Sequence, residues 1–152
     1  MSNTGGALTY TDSGLTNGTR YYYKVAAINS AGTGALSNEV SATPTAPPAP
    51  DFTLGVTPTS RTISRGSSTT YMVTLTAVNG FTGLVSLSSS ISPAANGLTM
   101  SFNPTGLTLG GTGSSTFTVV TARKTTKRTY TITIAATSGS LAHSTTVTLI
   151  LR

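Results

Sequence analysis

The chain has no cysteine, no tryptophan, one histidine and three acidic residues among 152. Without cysteine there are no disulfides and no thiolate metal sites, although many secreted bacterial modules use neither. A lone His143 cannot complete a catalytic triad or a metal site without partners, and no second histidine or neighbouring carboxylate stands near it in the sequence. It reads as a strand residue without a chemical role. The acids are Asp12, Glu39 and Asp51. Glycoside hydrolysis needs a carboxyl pair across a cleft, and calcium wants six to eight oxygens, several of them anionic. Neither requirement is met, so structural roles are expected for all three acids, and no cofactor, no metal and no enzymatic activity are expected. No Gly-x-Ser-x-Gly elbow occurs, and Gly110-Gly111-Thr112-Gly113 lacks the lysine of a phosphate loop. That glycine cluster reads as a flexible hairpin turn.

Charge is scarce too. Charged residues make up 8% of the chain, against about 25% in an ordinary soluble domain. Hydroxyls supply the missing polarity, since roughly a third of the residues are Ser or Thr. Threonine is β-branched and suits the solvent face of a sheet. With regular apolar alternation and a mean hydropathy of +0.11, the composition points to an all-β protein rather than to disorder. No apolar run reaches the roughly 18 residues of a membrane span. Met1-Ser2-Asn3-Thr4-Gly5-Gly6 has neither the basic nor the apolar region of a signal peptide, so the leader of a secreted parent is expected upstream.

What is present begins with proline. Thr43-Pro44-Thr45-Ala46-Pro47-Pro48-Ala49-Pro50 carries four prolines in eight residues. They remove ladder donors and fix φ, so neither helix nor central strand can run through the segment. It favours extended polyproline II and reads as a semi-rigid linker over 44–50. Residues 1–43 and 51–152 are then separate modules.

In the first module Asn17-Gly18 signals a turn, and Tyr21 opens a period-2 run. Tyr21, Tyr23, Val25 and Ala27 are expected on one face of a strand, with Tyr22, Lys24, Ala26 and Ile28 on the other. The stretch Tyr10–Asn29 resembles the E–F corner and F strand of a bacterial fibronectin type III domain, and Ser37–Pro44 is similar to its G strand and exit. Leu15, six residues before Tyr21, matches that family's tyrosine corner, in which the phenol bonds back to the backbone. Asn29–Gly34 stands at the F–G loop without the Arg-Gly-Asp of integrin-binding relatives. The resemblance covers strands E to G, whereas a whole sandwich of this kind needs about 100 residues. Either the piece is cut within a domain, or its open face pairs with a second copy in a homodimer through residues 1–43.

The second module carries eight strand-like runs, the first of them interrupted by Pro58. A strand split by proline can contact both sheets of a sandwich. Tyr71, Val73, Leu75, Phe117, Tyr130, Ile132 and Ile134 are expected inward, in a core of about fifteen apolar side chains. The Tyr130-Thr131-Ile132-Thr133-Ile134 strand after a turn resembles the immunoglobulin-like repeats of secreted bacterial proteins, which implies an antiparallel β-sandwich and no activity.

The net charge is +6, with a basic turn at Arg123, Lys124, Lys127 and Arg128. Nucleic-acid binding is not expected, because the helical elements that read grooves are missing. The basic turn and the outward Tyr22 are the candidate surface contacts, for polysaccharide or cell wall. The sequence thus describes a non-catalytic spacer region of a larger secreted or surface bacterial protein, whose other domains are its partners. The resemblance implies that such modules accompany polysaccharide-degrading hydrolases or proteases. A polysaccharide- or cell-surface-binding module is the alternative.

Overall fold

A computed structural model describes residues 9–152. Met1–Gly6 and Leu8, where the first patterned segment opens, lie outside them. The chain divides into two compact units, Met1–Pro48 and Ala49–Arg152. The division falls inside the proline segment. Among the described residues no helix occurs, and none is long and apolar enough to cross a membrane.

Among the described residues, the first unit has four short strands: β1 (Tyr21–Tyr23), β2 (Ile28–Asn29), β3 (Gly32–Thr33) and β4 (Val40–Ala42). β1 pairs antiparallel with β4, and β2 with β3. Gly18, at φ +80°, closes the turn whose Thr19 N–H donates to the Thr16 carbonyl at 3.2 Å. The phenol of Tyr21 accepts from the Thr16 N–H at 2.9 Å, the backbone bond expected of that tyrosine. The expected stripe is broken, however. The strand ends at Tyr23, and Val25 and Ala27 are exposed while Tyr21 and Tyr23 are half-buried. The reason is local. Val25 N–H donates to the Ser37 hydroxyl and its carbonyl accepts from Ser37 N–H, so a side-chain-assisted kink replaces the ladder.

The second unit holds nine strands: β5 (Asp51–Thr57), β6 (Ser60–Ile63), β7 (Ser68–Val78), β8 (Gly83–Ser92), β9 (Leu98–Asn103), β10 (Gly106–Leu109), β11 (Thr112–Thr121), β12 (Thr129–Ser138) and β13 (Leu141–Leu151). They form two sheets, ordered β5-β7-β11-β9 and β10-β8-β12-β13-β6. Every pairing is antiparallel except that of β6 with β13. Strands β5-β7-β11-β9 reproduce the ABED order of the immunoglobulin constant-type sandwich, and β8-β12-β13 its CFG order, with β10 and β6 added at the edges. The fold is an all-β, immunoglobulin-like sandwich. Pro58, between β5 and β6, lets the first run pass from one sheet to the other, as the split run implied. The glycine pair Gly110-Gly111 does not close a hairpin. β10 pairs with β8 in one sheet and β11 with β7 and β9 in the other, so the glycines carry the chain across the sandwich.

Period-2 alternation fixes the core. Along β12, Tyr130, Ile132, Ile134 and Ala136 are buried, and across the sandwich Tyr71, Val73, Leu75, Phe117 and Val119 meet them. Among the described residues, seventeen apolar side chains are buried, all in the second unit. Phe117 stacks on Phe102 at 4.6 Å between ring centroids. The Tyr71 hydroxyl donates across the sandwich to the Thr148 carbonyl at 3.1 Å. Tyr130 donates to the Thr126 carbonyl at 2.8 Å, the corner bond that pins a strand to the loop before it. Among the described residues, no buried side-chain polar atom lacks a partner.

Candidate functional site

Both ends of the second unit carry polar groups. At the end where the chain enters β5, Asp51 Oδ1 accepts from His143 Nε2 at 2.8 Å and from the Phe52 N–H at 2.7 Å. The His143 ring meets Phe52 edge-on at 4.7 Å. The bond from His143, then that from the Phe52 amide, holds the Asp51 carboxyl below its ordinary range. His143 therefore has a carboxylate partner that sequence proximity conceals, 92 residues away. No third ligand joins them: among the described residues, no group of three His, Asp or Glu is placed to hold a metal.

From His143 to Arg152 the chain runs about 30 Å along and just past β13, at about 3.3 Å per residue. At that far end the turn between β6 and β7, the connection from β11 to β12 and the end of β13 surround a groove of about 490 Å³. Arg65, Arg123, Lys127 and Arg152 line it, with Ser64, Gly66 and Ser67. Of the expected basic turn, only Arg123 and Lys127 face the groove. Arg128 instead lies over the Tyr130 ring at 5.9 Å, and Lys124 approaches Gly97. Arg65 and Arg152, dozens of residues from that turn in sequence, complete the set.

Backbone geometry builds this groove. Ser67 N–H donates to the Ser64 carbonyl, closing the turn, and Arg65 N–H donates to the Arg152 carbonyl at 3.1 Å. Buried Thr121 ties the turn to β11: its hydroxyl donates to the Ser67 carbonyl at 2.9 Å and accepts from Gly66 N–H. Gly66 sits at φ +80°, and a Cβ there would meet Arg123 Cγ at 3.0 Å, so glycine makes room for the arginine stem. Thr125, fully buried, donates to the Gly97 carbonyl and accepts from Ala122 N–H, which anchors the connection bearing Arg123 and Lys127.

No acidic side chain lines the groove. The whole excess of positive charge belongs to the second unit, where seven bases face Asp51 alone; in the first, Arg20 and Lys24 are matched by Asp12 and Glu39. Lys24 pairs with Glu39 at 3.3 Å, and Asp12 accepts from the Tyr23 hydroxyl at 3.2 Å. Tyr22, the other candidate contact, projects from β1 and is 61% exposed.

No protein-family model matches the sequence, and no curated protein matches it either. Among solved structures, the chain is similar to domains 4 and 5 of the S-layer protein SbsC, with 21% identity and a TM-score of 0.50 over 77% of this chain and 62% of that one. This likeness is one of fold. Two looser likenesses carry no argument. One is to a family 123 glycoside hydrolase from Clostridium perfringens, with 12% identity and TM-score 0.49 over 66% of this chain and 27% of that one. The other is to the BIgI domain of the beta protein from S. agalactiae bound to CEACAM1, with 12% identity and TM-score 0.39 over 67% of this chain and 97% of that one. The chain thus spans less than two thirds of the first two structures it resembles.

Proposed function

We propose that the chain is a non-catalytic accessory region of a larger secreted or surface bacterial protein, one that spaces or presents other domains. The engagement of its few acids carries this reading. Asp12 accepts from a phenol, Glu39 pairs with a lysine, and Asp51 holds His143 and caps β5. None faces another carboxylate across a cleft, so general acid–base chemistry has no pair to work with. The proline segment between two β units suits a spacer. The likeness in fold to tandem domains of an S-layer protein fits a place on a cell surface. The first unit is read as the E-to-G portion of a fibronectin type III-like module, supported by the Tyr21–Thr16 bond and the pairing of β1 with β4. Attachment to a polysaccharide-degrading hydrolase or a protease follows from that reading.

Sedimentation of the full chain with insoluble cellulose and chitin tests the spacer. No retention on either neutral polymer is expected, with Tyr22→Ala indistinguishable from the parent. Retention that Tyr22→Ala abolishes would make the chain a sugar-stacking module instead.

A further inference from the structure

The geometry points to the groove at the far end of the sandwich as a binding site for an anionic polysaccharide. This adds an attachment point to the accessory reading and does not depend on it. Three arginines and one lysine line it from three separate chain segments, with no acidic side chain among the lining residues. Guanidinium offers a planar fork of donors that fits carboxylate, sulfate or phosphate oxygens two at a time, and it sheds water more readily than ammonium. Gathering like charges costs free energy unless an anion joins them. Here Thr121, Thr125 and Gly66 hold the backbones in the arrangement that gathers them.

The shape narrows the ligand class. The groove is shallow and open, and would take a segment of a chain lying across it. No aromatic ring lines it, so neither neutral sugars nor single-stranded bases find a stacking platform. Ser64 and Ser67 place hydroxyls among the cations, suited to the hydroxyls between the anionic groups of a charged glycan. Duplex DNA is read by elements that enter its grooves, and two short loops with a strand end provide none. The site also stands at the end of the unit opposite Asp51, where the chain enters. A polymer bound there leaves that end clear.

Affinity electrophoresis of the full chain in gels containing alginate, dextran sulfate or neutral dextran tests the assignment. Alginate offers carboxylates and dextran sulfate offers sulfates, so the two arms tell which anion the groove prefers. Retardation in at least one anionic gel, and none in neutral dextran, is expected. Because any chain of charge +6 drifts toward polyanions, two triple variants of equal charge decide the matter. Arg65→Gln/Arg123→Gln/Lys127→Gln removes three of the four bases that line the groove and leaves Arg152, whereas Arg61→Gln/Lys124→Gln/Arg128→Gln leaves all four in place. The groove variant should weaken binding at least about tenfold and the control less than about threefold, each such factor being read directly from the dissociation constant. All six side chains are exposed, and matching melting temperatures will show that both variants fold. Gly66→Ala should weaken binding without changing any charge, because its Cβ displaces Arg123. Equal losses in the two triple variants, no retardation in either anionic gel, or tighter binding to a DNA duplex in the same assay would each overturn the proposal.

Discussion

The hydroxyl of Thr125 is fully buried, and its two bonds fasten a seven-residue connection that, apart from Ala122, otherwise carries only polar and basic side chains. Thr125→Val keeps the shape and removes the bonds, leaving the Gly97 carbonyl and the Ala122 amide one partner short. The Ala122 amide still donates to the Gly97 carbonyl at 2.7 Å, so neither group is left unpaired and each lost bond costs about 0.5–1.5 kcal/mol. Urea unfolding should show that loss, together with weaker retardation in the anionic gels. A change within about 0.5 kcal/mol, the range of ordinary surface substitutions, would mean the connection is held by something else. Tyr71 sets a second residue-scale expectation. Burial pushes its phenol up to about 12 from 10.0, and Arg61 pulls slightly the other way. The unfolded chain therefore loses this proton near pH 10 while the folded one keeps it to about pH 12. The contribution is whole below pH 10 and is lost as pH rises toward 12, on the order of 2–3 kcal/mol in all. Stability measured from pH 9 to 12 should fall less steeply in Tyr71→Phe than in the parent. Asp51 works in the opposite direction. Its lowered carboxyl contributes above pH 3.8 and is lost as pH falls further, so His143→Ala should flatten the acid limb of the same curve.

At the scale of elements, alternation did most of the specifying. β12 exposes Thr131 and buries Ile132 and Ile134, fully in each case. Ile132→Ala should cost about 2–5 kcal/mol through lost transfer energy and a residual cavity. A loss below about 0.5 kcal/mol would place Ile132 on the outer face. This face was legible because one residue of slip would send every isoleucine to solvent. The crossing at Pro58 was legible for a similar reason, since proline cannot sit in a central ladder. Three features were not. Phe81 is buried although it stands in a turn-rich stretch, because it packs on Phe52 at 5.4 Å from a different part of the chain. The Asp51–His143 pair joins the first strand of the unit to its last. The groove assembles Arg65, Arg123, Lys127 and Arg152, of which only the middle two are neighbours in sequence. Periodicity reports which way a side chain faces, and it is silent on which distant loop lies alongside.

At the scale of the whole molecule, apolar burial is divided unevenly. Among the described residues, the second unit holds all seventeen buried apolar side chains, whereas the first supplies six of the nine large apolar residues that are most exposed. Val25 is 71% exposed and Val40 64%, and the strands of the first unit are two or three residues long. A two-stranded pair without a covered face has little independent stability. Open strand edges and exposed apolar side chains both favour association, and for identical chains the simplest closed arrangement is a two-fold dimer. The full chain is therefore expected to dimerise through its first unit as concentration rises. Light scattering should move from about 15.4 kDa toward twice that mass, and Val25→Asp/Val40→Asp should hold the chain at the lower value. Hydrogen exchange then supplies an independent readout. Amides of Tyr21–Tyr23 and Val40–Ala42 should gain protection over the same concentration range in the parent, while those of β12, already within a complete sandwich, should not change. A single mass near 15.4 kDa at every concentration, with exchange in the first unit unaltered, would rule the dimer out and leave those residues to be covered by another domain of the parent protein.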